Sequence, residues 1–178
     1  LLWHRKAPLM TLEADTGPVP GAAAETTVAG VQMTLTEPTT PACPFEVEEL
    51  GNDDAGDILA LASDTKPGPF ERRTHTLGTF IGIRKDGALV AMAGQRLKLP
   101  GYTELSAVCV AKAHRGQGFG AALVRQLSER ICDSGDVPFL HVYASNTNAI
   151  ALYQSLGFQI RSRMKATQWS NTAAVQFD

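Results

Sequence analysis

Apolar positions along the chain follow two periods, and the change from one to the other marks most of its elements. Thr79–Arg84 and Ala88–Leu97 are apolar runs on either side of Lys85-Asp86-Gly87 and predict a β-hairpin. Leu105, Ala107, Val108, Cys109 and Val110 form a nearly continuous apolar run, so Glu104–Val110 reads as a strand covered on both faces. Helical spacing follows. Leu123, Val124, Leu127 and Ile131 recur at i, i+1, i+4 and i+8, which predicts a helix over about Gln117–Asp133 with Gly135 closing its end. Pro138–Tyr143 is the next strand. Ser145 or Asn146 caps a second helix that reaches about Leu156 and stops at Gly157, and Phe158 to about Ala166 is a final strand. Upstream, Phe45–Leu50 reads as a short strand. Asn52 caps a helix from Asp53 to about Ser63, and Asp53 and Asp54 suit its positive start. Lys66-Pro67-Gly68-Pro69 and Pro100-Gly101 interrupt the chain.

Residues 1–42 are different. They are rich in Ala, Thr, Gly and Pro, and only Thr26–Thr36 alternates, loosely, as one strand. This stretch is expected to be an arm, 43–170 the main domain and 171–178 a tail. From Cys43 the order is β-α-(α)-β-β-β-α-β-α-β. That predicts an α/β (α+β) fold: a central mixed, mostly antiparallel sheet flanked by helices.

Composition narrows the function classes. The chain has 178 residues, of which 44% are hydrophobic and 19% charged, with a formal net charge of −2. It lacks the basic surplus of a nucleic-acid binder. No apolar run approaches the roughly 20 residues that span a membrane, and Leu1-Leu2-Trp3-His4-Arg5-Lys6 reads as too short for a secretory signal. Cys43, Cys109 and Cys132 are widely spaced and form no CxxC pair, and the four histidines show no metal-ligand spacing. Free thiols, no metal and a reducing cytoplasm are expected.

The segment between the apolar strand and the amphipathic helix carries Gly116, Gly118 and Gly120. Glycine permits positive φ and leaves no Cβ in a ligand's way. Free N–H groups at a helix start, with Lys112 and Arg115 beside them, suit a diphosphate. A plain connecting turn is the bland alternative. The GxxxxGK[ST] pattern of nucleotide hydrolases is absent. Gly116-x-Gly118-x-x-Ala121 formally fits a dinucleotide site, but the following strand ends in Ala144-Ser145-Asn146, without the ribose-binding acid. Asp136 lies before that strand, and three strands precede the loop without alternating helices.

Arg115-Gly116-Gln117-Gly118-Phe119-Gly120 matches [RQ]-x-x-G-x-[GA], the coenzyme A signature of the GNAT superfamily of N-acetyltransferases. A second pattern, N-x-x-A-x-x-L-Y-x-x-x-G-F, is matched by Asn146 through Ala149, Leu152, Tyr153 and Gly157 to Phe158. With both motifs in order, residues 45–168 resemble a GNAT-like acyl-CoA N-acyltransferase. The resemblance implies acetyl-CoA as cosubstrate and an amine as acceptor. It implies that backbone groups of Val108 and Val110 pair with the pantetheine arm. The N–H groups from Gly116 through Gln117, Gly118, Phe119 and Gly120 to Ala121 would hold the pyrophosphate. Asn146 would hydrogen-bond the cofactor arm, and Tyr153 would stand near the thioester sulfur. Independently, Asn146, Ala149, Ile150 and Tyr153 share one helical face at i, i+3, i+4 and i+7. The plainer reading makes Tyr153 a core aromatic and Asn146 an N-cap.

Acyl transfer to an amine needs a neutral nucleophile, a donor for the oxyanion and a proton for the thiolate. Tyr153 is the candidate acid. Glu104 is the candidate base, with an exposed strand-end charge as its alternative. His141 is a second candidate base, and His114 sits beside the loop. Cys109 is a candidate nucleophile on paper, but an apolar strand disfavours a reactive thiolate, so direct attack in a ternary complex is expected. Glu46, Glu48, Glu49, Asp53, Asp54 and Asp57 lie in a stretch without Lys or Arg. They would draw a cationic small-molecule or peptide amine, unless they are only a solvated helix start. A homodimer is compatible with this reading. The competing functions are a non-catalytic acyl-CoA-binding regulatory module and a nicotinamide enzyme.

Overall fold

The computed structural model describes residues 9–14, 17, 19–38 and 43–171. It contains eight strands and three α-helices among them. These are β1 (Leu9–Glu13), β2 (Ala22–Thr34), β3 (Glu48–Leu50), α1 (Ala55–Thr65), β4 (Phe80–Lys85), β5 (Ala88–Leu99), β6 (Tyr102–Val110), α2 (Phe119–Asp133), β7 (Val137–Tyr143), α3 (Thr147–Ser155) and β8 (Gln159–Asn171).

The chain divides into two compact units. One holds the described residues up to Met33 with His141–Ile150 and residues 160–171. Its strands run in the order β1, β8, β2 and the end of β7. β1 and β8 are antiparallel, with Leu9 opposite Trp169. The Trp169 indole N–H donates to the Thr11 hydroxyl at 2.9 Å, and the Thr27 and Thr167 hydroxyls share a hydrogen bond of 3.2 Å. The stretch expected to be an arm therefore contributes two paired strands, and no compact unit begins at residue 43. β2 covers most of the strand expected at Thr26–Thr36; it is exposed from Ala23 to Ala29 and alternates only from Gly30 to Thr34, where Val31 and Met33 are buried. β8 runs on to Asn171, five residues beyond the expected end, because β1 is there to pair with it. The rest of the expected tail lies outside the described residues.

The second unit holds Thr34–Leu140 and Ala151–Gln159. Its strands run in the order β7, β6, β5, β4, β3. β6 and β7 are parallel, and the other pairs are antiparallel, which is the mixed sheet anticipated. The β4–β5 hairpin turns on Asp86 (φ 51°) and Gly87 (φ 80°), both in the left-handed region that a tight hairpin turn requires. In β5, Leu89 through Gly94 are buried without a break, so both faces of the strand are covered. α1 packs on β5 and β6 through Ile58 and Leu61, and α2 packs on β4, β5 and β6 through Leu123, Leu127 and Ile131. α2 starts at Phe119 rather than Gln117, because Gly118 takes the left-handed N-cap. Only Glu48–Leu50 of the expected first strand is paired.

Candidate active site

Two breaks in regularity, both in the second unit, build the site. The first is in β6. Its parallel ladder with β7 ends at Leu105 opposite Leu140. Beyond it, among the described residues, that edge of β6 carries no ladder. The pairing with β5 shifts between Met92–Cys109 and Gly94–Ser106, and Ala107 stands in the shift with φ 53°. This is a β-bulge, and it changes which residues face which edge. Ala111 N–H donates to the Val90 carbonyl at 2.8 Å, so residues 111 and 109 turn toward β5. Val108 and Val110, of the other parity, turn their backbone groups to the open edge. The Arg115 Nε–H donates to the Val110 carbonyl at 3.2 Å, which places that carbonyl away from β5.

The second break is the glycine loop. Lys112–His114 form one 3-10 turn, and Arg115 is extended. Gly116 (φ 79°) and Gly118 (φ 87°) are left-handed. The helical ladder of α2 opens with Ala122 N–H on the Gly118 carbonyl at 3.0 Å. The N–H groups of Phe119, Gly120 and Ala121 therefore have no intrahelical acceptor, and no side chain caps them. Together with the macrodipole they form an uncapped anion site on an exposed loop, flanked by exposed Lys112 and Arg115. A diphosphate fits it, and an extended arm fits the open edge of β6 beside it. The Phe119 side chain is not part of that surface. It is 2% exposed and pinned by the Phe45 ring at 4.8 Å edge-on, with the Lys85 ammonium 5.7 Å from its centroid. Only its N–H faces a ligand.

Tyr153 is buried and packs on Phe158 at 5.9 Å. Burial first, and the neighbouring Cys109 second, push its phenol up to about 12, so it stays protonated. Cys109 packs with Ile58, Leu61, Ala62 and Met92. Burial raises its thiol to about 11 against the smaller opposing pulls of the Thr65 hydroxyl and Arg115. At pH 7 roughly one such thiol in 10⁴ is a thiolate, too few for a nucleophile.

Glu104 is neither exposed nor free. Its side chain is 1% exposed, and Arg96 of β5 grips both oxygens, Nε to Oε2 at 3.0 Å and Nη2 to Oε1 at 2.6 Å. A proton placed on it would disrupt a charge-assisted fork. Arg96 was absent from the sequence reading. The register from Gln95–Leu105 to Lys98–Thr103 accommodates an extra residue on β5, and that slip sets Arg96 against Glu104.

The remaining candidates have partners of their own. Asn146, in the first unit, caps α3 through Oδ1, which accepts the Ala149 N–H at 3.2 Å. His141, also in the first unit, has its Nε2 within 3.0 Å of the Gln32 amide nitrogen, and Arg161 holds the other end of that amide. An amide nitrogen can only donate, so His141 Nε2 is its acceptor and is occupied. Of the six acids expected to attract a cation, Glu48, Asp54 and Asp57 all converge on Arg84, and Glu49 meets Arg130 at 3.3 Å. Much of the negative rim is thus neutralised within the protein. Among the described residues no cluster of His, Cys, Asp and Glu could hold a metal, and no helix is long and apolar enough to cross a membrane.

Residues 80–170 match the family described as FR47-like protein. A crystal structure from Novosphingobium aromaticivorans, described as an acetyltransferase from the GNAT family, is 37% identical over 92% of this chain and 74% of that one, with a TM-score of 0.85. The N-alpha-acetyltransferase RimI of Mycobacterium tuberculosis is 39% identical over 83 residues, 45% of this chain and 51% of the relative. The chain thus spans about half the length of that relative. The ribosomal-protein-S18-alanine N-acetyltransferase of Escherichia coli is 22% identical over 74% of this chain and 99% of its own, with a TM-score of 0.58, a likeness of fold.

Proposed function

Because the chain belongs to the FR47-like family within the GNAT N-acetyltransferases, we propose that it transfers an acetyl group from acetyl-CoA to a primary amine by direct attack in a ternary complex. The observation that carries this reading is the uncapped start of α2, held open by left-handed Gly116 and Gly118 beside the unpaired edge of β6. The N–H groups of Gly116 to Ala121 receive the pyrophosphate, with Arg115 and Gln117 at the rim. Val108 and Val110 meet the pantetheine amides as a further strand would.

In the transfer step the amine nitrogen attacks the thioester carbonyl, the C–S bond breaks, and the sulfur leaves with its electron pair. Tyr153 serves that sulfur. A phenol near 12 does not readily give its proton to a thiolate whose own acid lies near 8.5, so its contribution is a hydrogen bond to the departing sulfur. Glu104 takes the amine proton, directly or through water, when the acceptor loosens the Arg96 fork. Cys109 remains a thiol and forms no acyl-enzyme.

The grip of Arg96 on Glu104 also favours a second reading, a module that binds acyl-CoA without turning it over. Thermal unfolding with acetyl-CoA, NADH or ATP, followed by thiol release with amines, separates the two. A midpoint raised by acetyl-CoA alone together with thiol release supports the transferase. Binding without release to any amine favours the module, and a shift with NADH alone would defeat both.

A further inference from the structure

We propose that Arg96 reads the acceptor, selecting an amine whose neighbouring carbon carries a carboxylate or carbonyl oxygen, rather than a diamine or plain alkylamine. This rests on the acetyltransferase reading above and adds the acceptor class to it.

The open edge of β6 starts after Leu105, and Val108 and Val110 face it. A pantetheine arm entering past the glycine loop and pairing with those two residues brings its acyl end toward Ser106. Glu104 is two residues further along the strand, about 7 Å. The acceptor amine must meet the thioester from that side, where Arg96 lies over Glu104.

Chemistry supplies the rest. The Glu104 carboxylate is 1% exposed and the Arg96 side chain 28%. Of the pair, it is Arg96 that solvent reaches. A guanidinium carries five N–H donors in a planar fork, and Glu104 takes two of them, through Nε and Nη2. Nη1 has no partner among the described residues. A partly exposed arginine with a donor to spare, beside the attack site, suits an oxygen acceptor. A diamine brings a second cation instead, and the acids that could have welcomed it are largely bound to Arg84 and Arg130. Arg96 is thus a specificity residue, held in place by Glu104 before the acceptor arrives.

The test uses thiol release with L-alanine, an N-terminally free trialanine amide, ethylamine and putrescine, on the wild type and on Arg96→Lys. The lysine keeps the positive charge over buried Glu104 and loses the fork. An acetyl-CoA-induced rise in unfolding midpoint shows that the variant is folded. The wild type is expected to prefer L-alanine or the peptide over ethylamine by about 10- to 100-fold in kcat/KM, the worth of a hydrogen bond to a charged group. Preference for L-alanine assigns a carboxylate, and preference for the peptide assigns an N-terminal carbonyl. Arg96→Lys should shrink the ratio to within about threefold, through KM for the acceptor and not for acetyl-CoA. Equal rates for ethylamine, faster transfer to putrescine, or an unchanged ratio in Arg96→Lys would overturn the proposal. No transfer to any of the four while acetyl-CoA still binds would overturn this acceptor class and leave the cofactor reading standing. Failure to bind acetyl-CoA would overturn both.

Discussion

Gly118 and Gly135 offer a matched pair for isolating what the loop does for a ligand. Their φ values are 87° and 85°, and they flank the same helix, one before its first residue and one past its last. A Cβ at Gly135 would meet nothing within 4 Å, and one at Gly118 only the Phe45 ring edge at 3.8 Å. Neither site suffers a clash, so valine costs each the left-handed strain alone, at least about 1–2 kcal/mol. For a chain of this size that lowers the unfolding midpoint by about 2–8 °C in both variants. The ligand response should separate them. At 100 times its Kd, acetyl-CoA adds about 2.7 kcal/mol to the wild type, or about 5–11 °C. Gly135→Val should keep that shift in full. Gly118→Val should lose it, because relaxing φ swings the N–H groups of Phe119 to Ala121 away from a common point. Scanning calorimetry with and without acetyl-CoA reads both effects. Equal ligand shifts in the two variants would refute the pyrophosphate role of the loop.

Three further outcomes follow from the same geometry. Tyr153→Phe should lower kcat about 10- to 100-fold with acetyl-CoA affinity nearly unchanged, checked by steady-state kinetics and calorimetric titration; unchanged kcat removes the hydrogen bond to sulfur. Cys109→Ala should retain turnover, since direct attack as proposed needs no acyl-enzyme. The raised Cys109 pKa makes its stabilising contribution complete below about pH 9 and lost as pH climbs toward about 11, so the variant should lack the part of the alkaline fall that arises there, about 2–3 kcal/mol in urea unfolding. Asp54 is held below its ordinary pKa by the Gly51 N–H and then by Arg84, so its contribution is present above about pH 4 and fades as pH falls below it. Arg84→Met should reduce that acid sensitivity and cost about 1 kcal/mol at low salt, less at 1 M salt; an identical acid profile would show that Gly51 alone sets it.

How far the chain could be read from its letters follows a physical line. Local signals carried well. The Asp86-Gly87 turn, the α2 stripe, the glycine loop and the Asn146 cap depend on residues within a few positions of one another. What escaped depends on register between distant segments. β1 and β2 find their partner in β8, over a hundred residues away; the loose alternation of Thr26–Thr36 marks only the later part of β2, because Ala23–Ala29 is exposed. Arg84 gathers acids 27 to 36 residues upstream, and a charge run that looked like a cation trap became an internal network. Arg96 meets Glu104 only because the pairing slips by one residue. Alanine gives no hint of positive φ, so the bulge at Ala107 was invisible too.

That bulge gives β6 slack. Ser106 stands opposite Gly94 and Cys109 opposite Met92, so Ala93 faces two residues, Ala107 and Val108. Glycine at 107 would take its φ with less strain. Removing the residue would let Val108 settle opposite Ala93, while Cys109 and Val110 keep their partners on β5 and so their facing. β6 in that sense carries one residue more than its ladder needs. A single-codon deletion at 107 would cost the strand its bend and leave its open edge in phase.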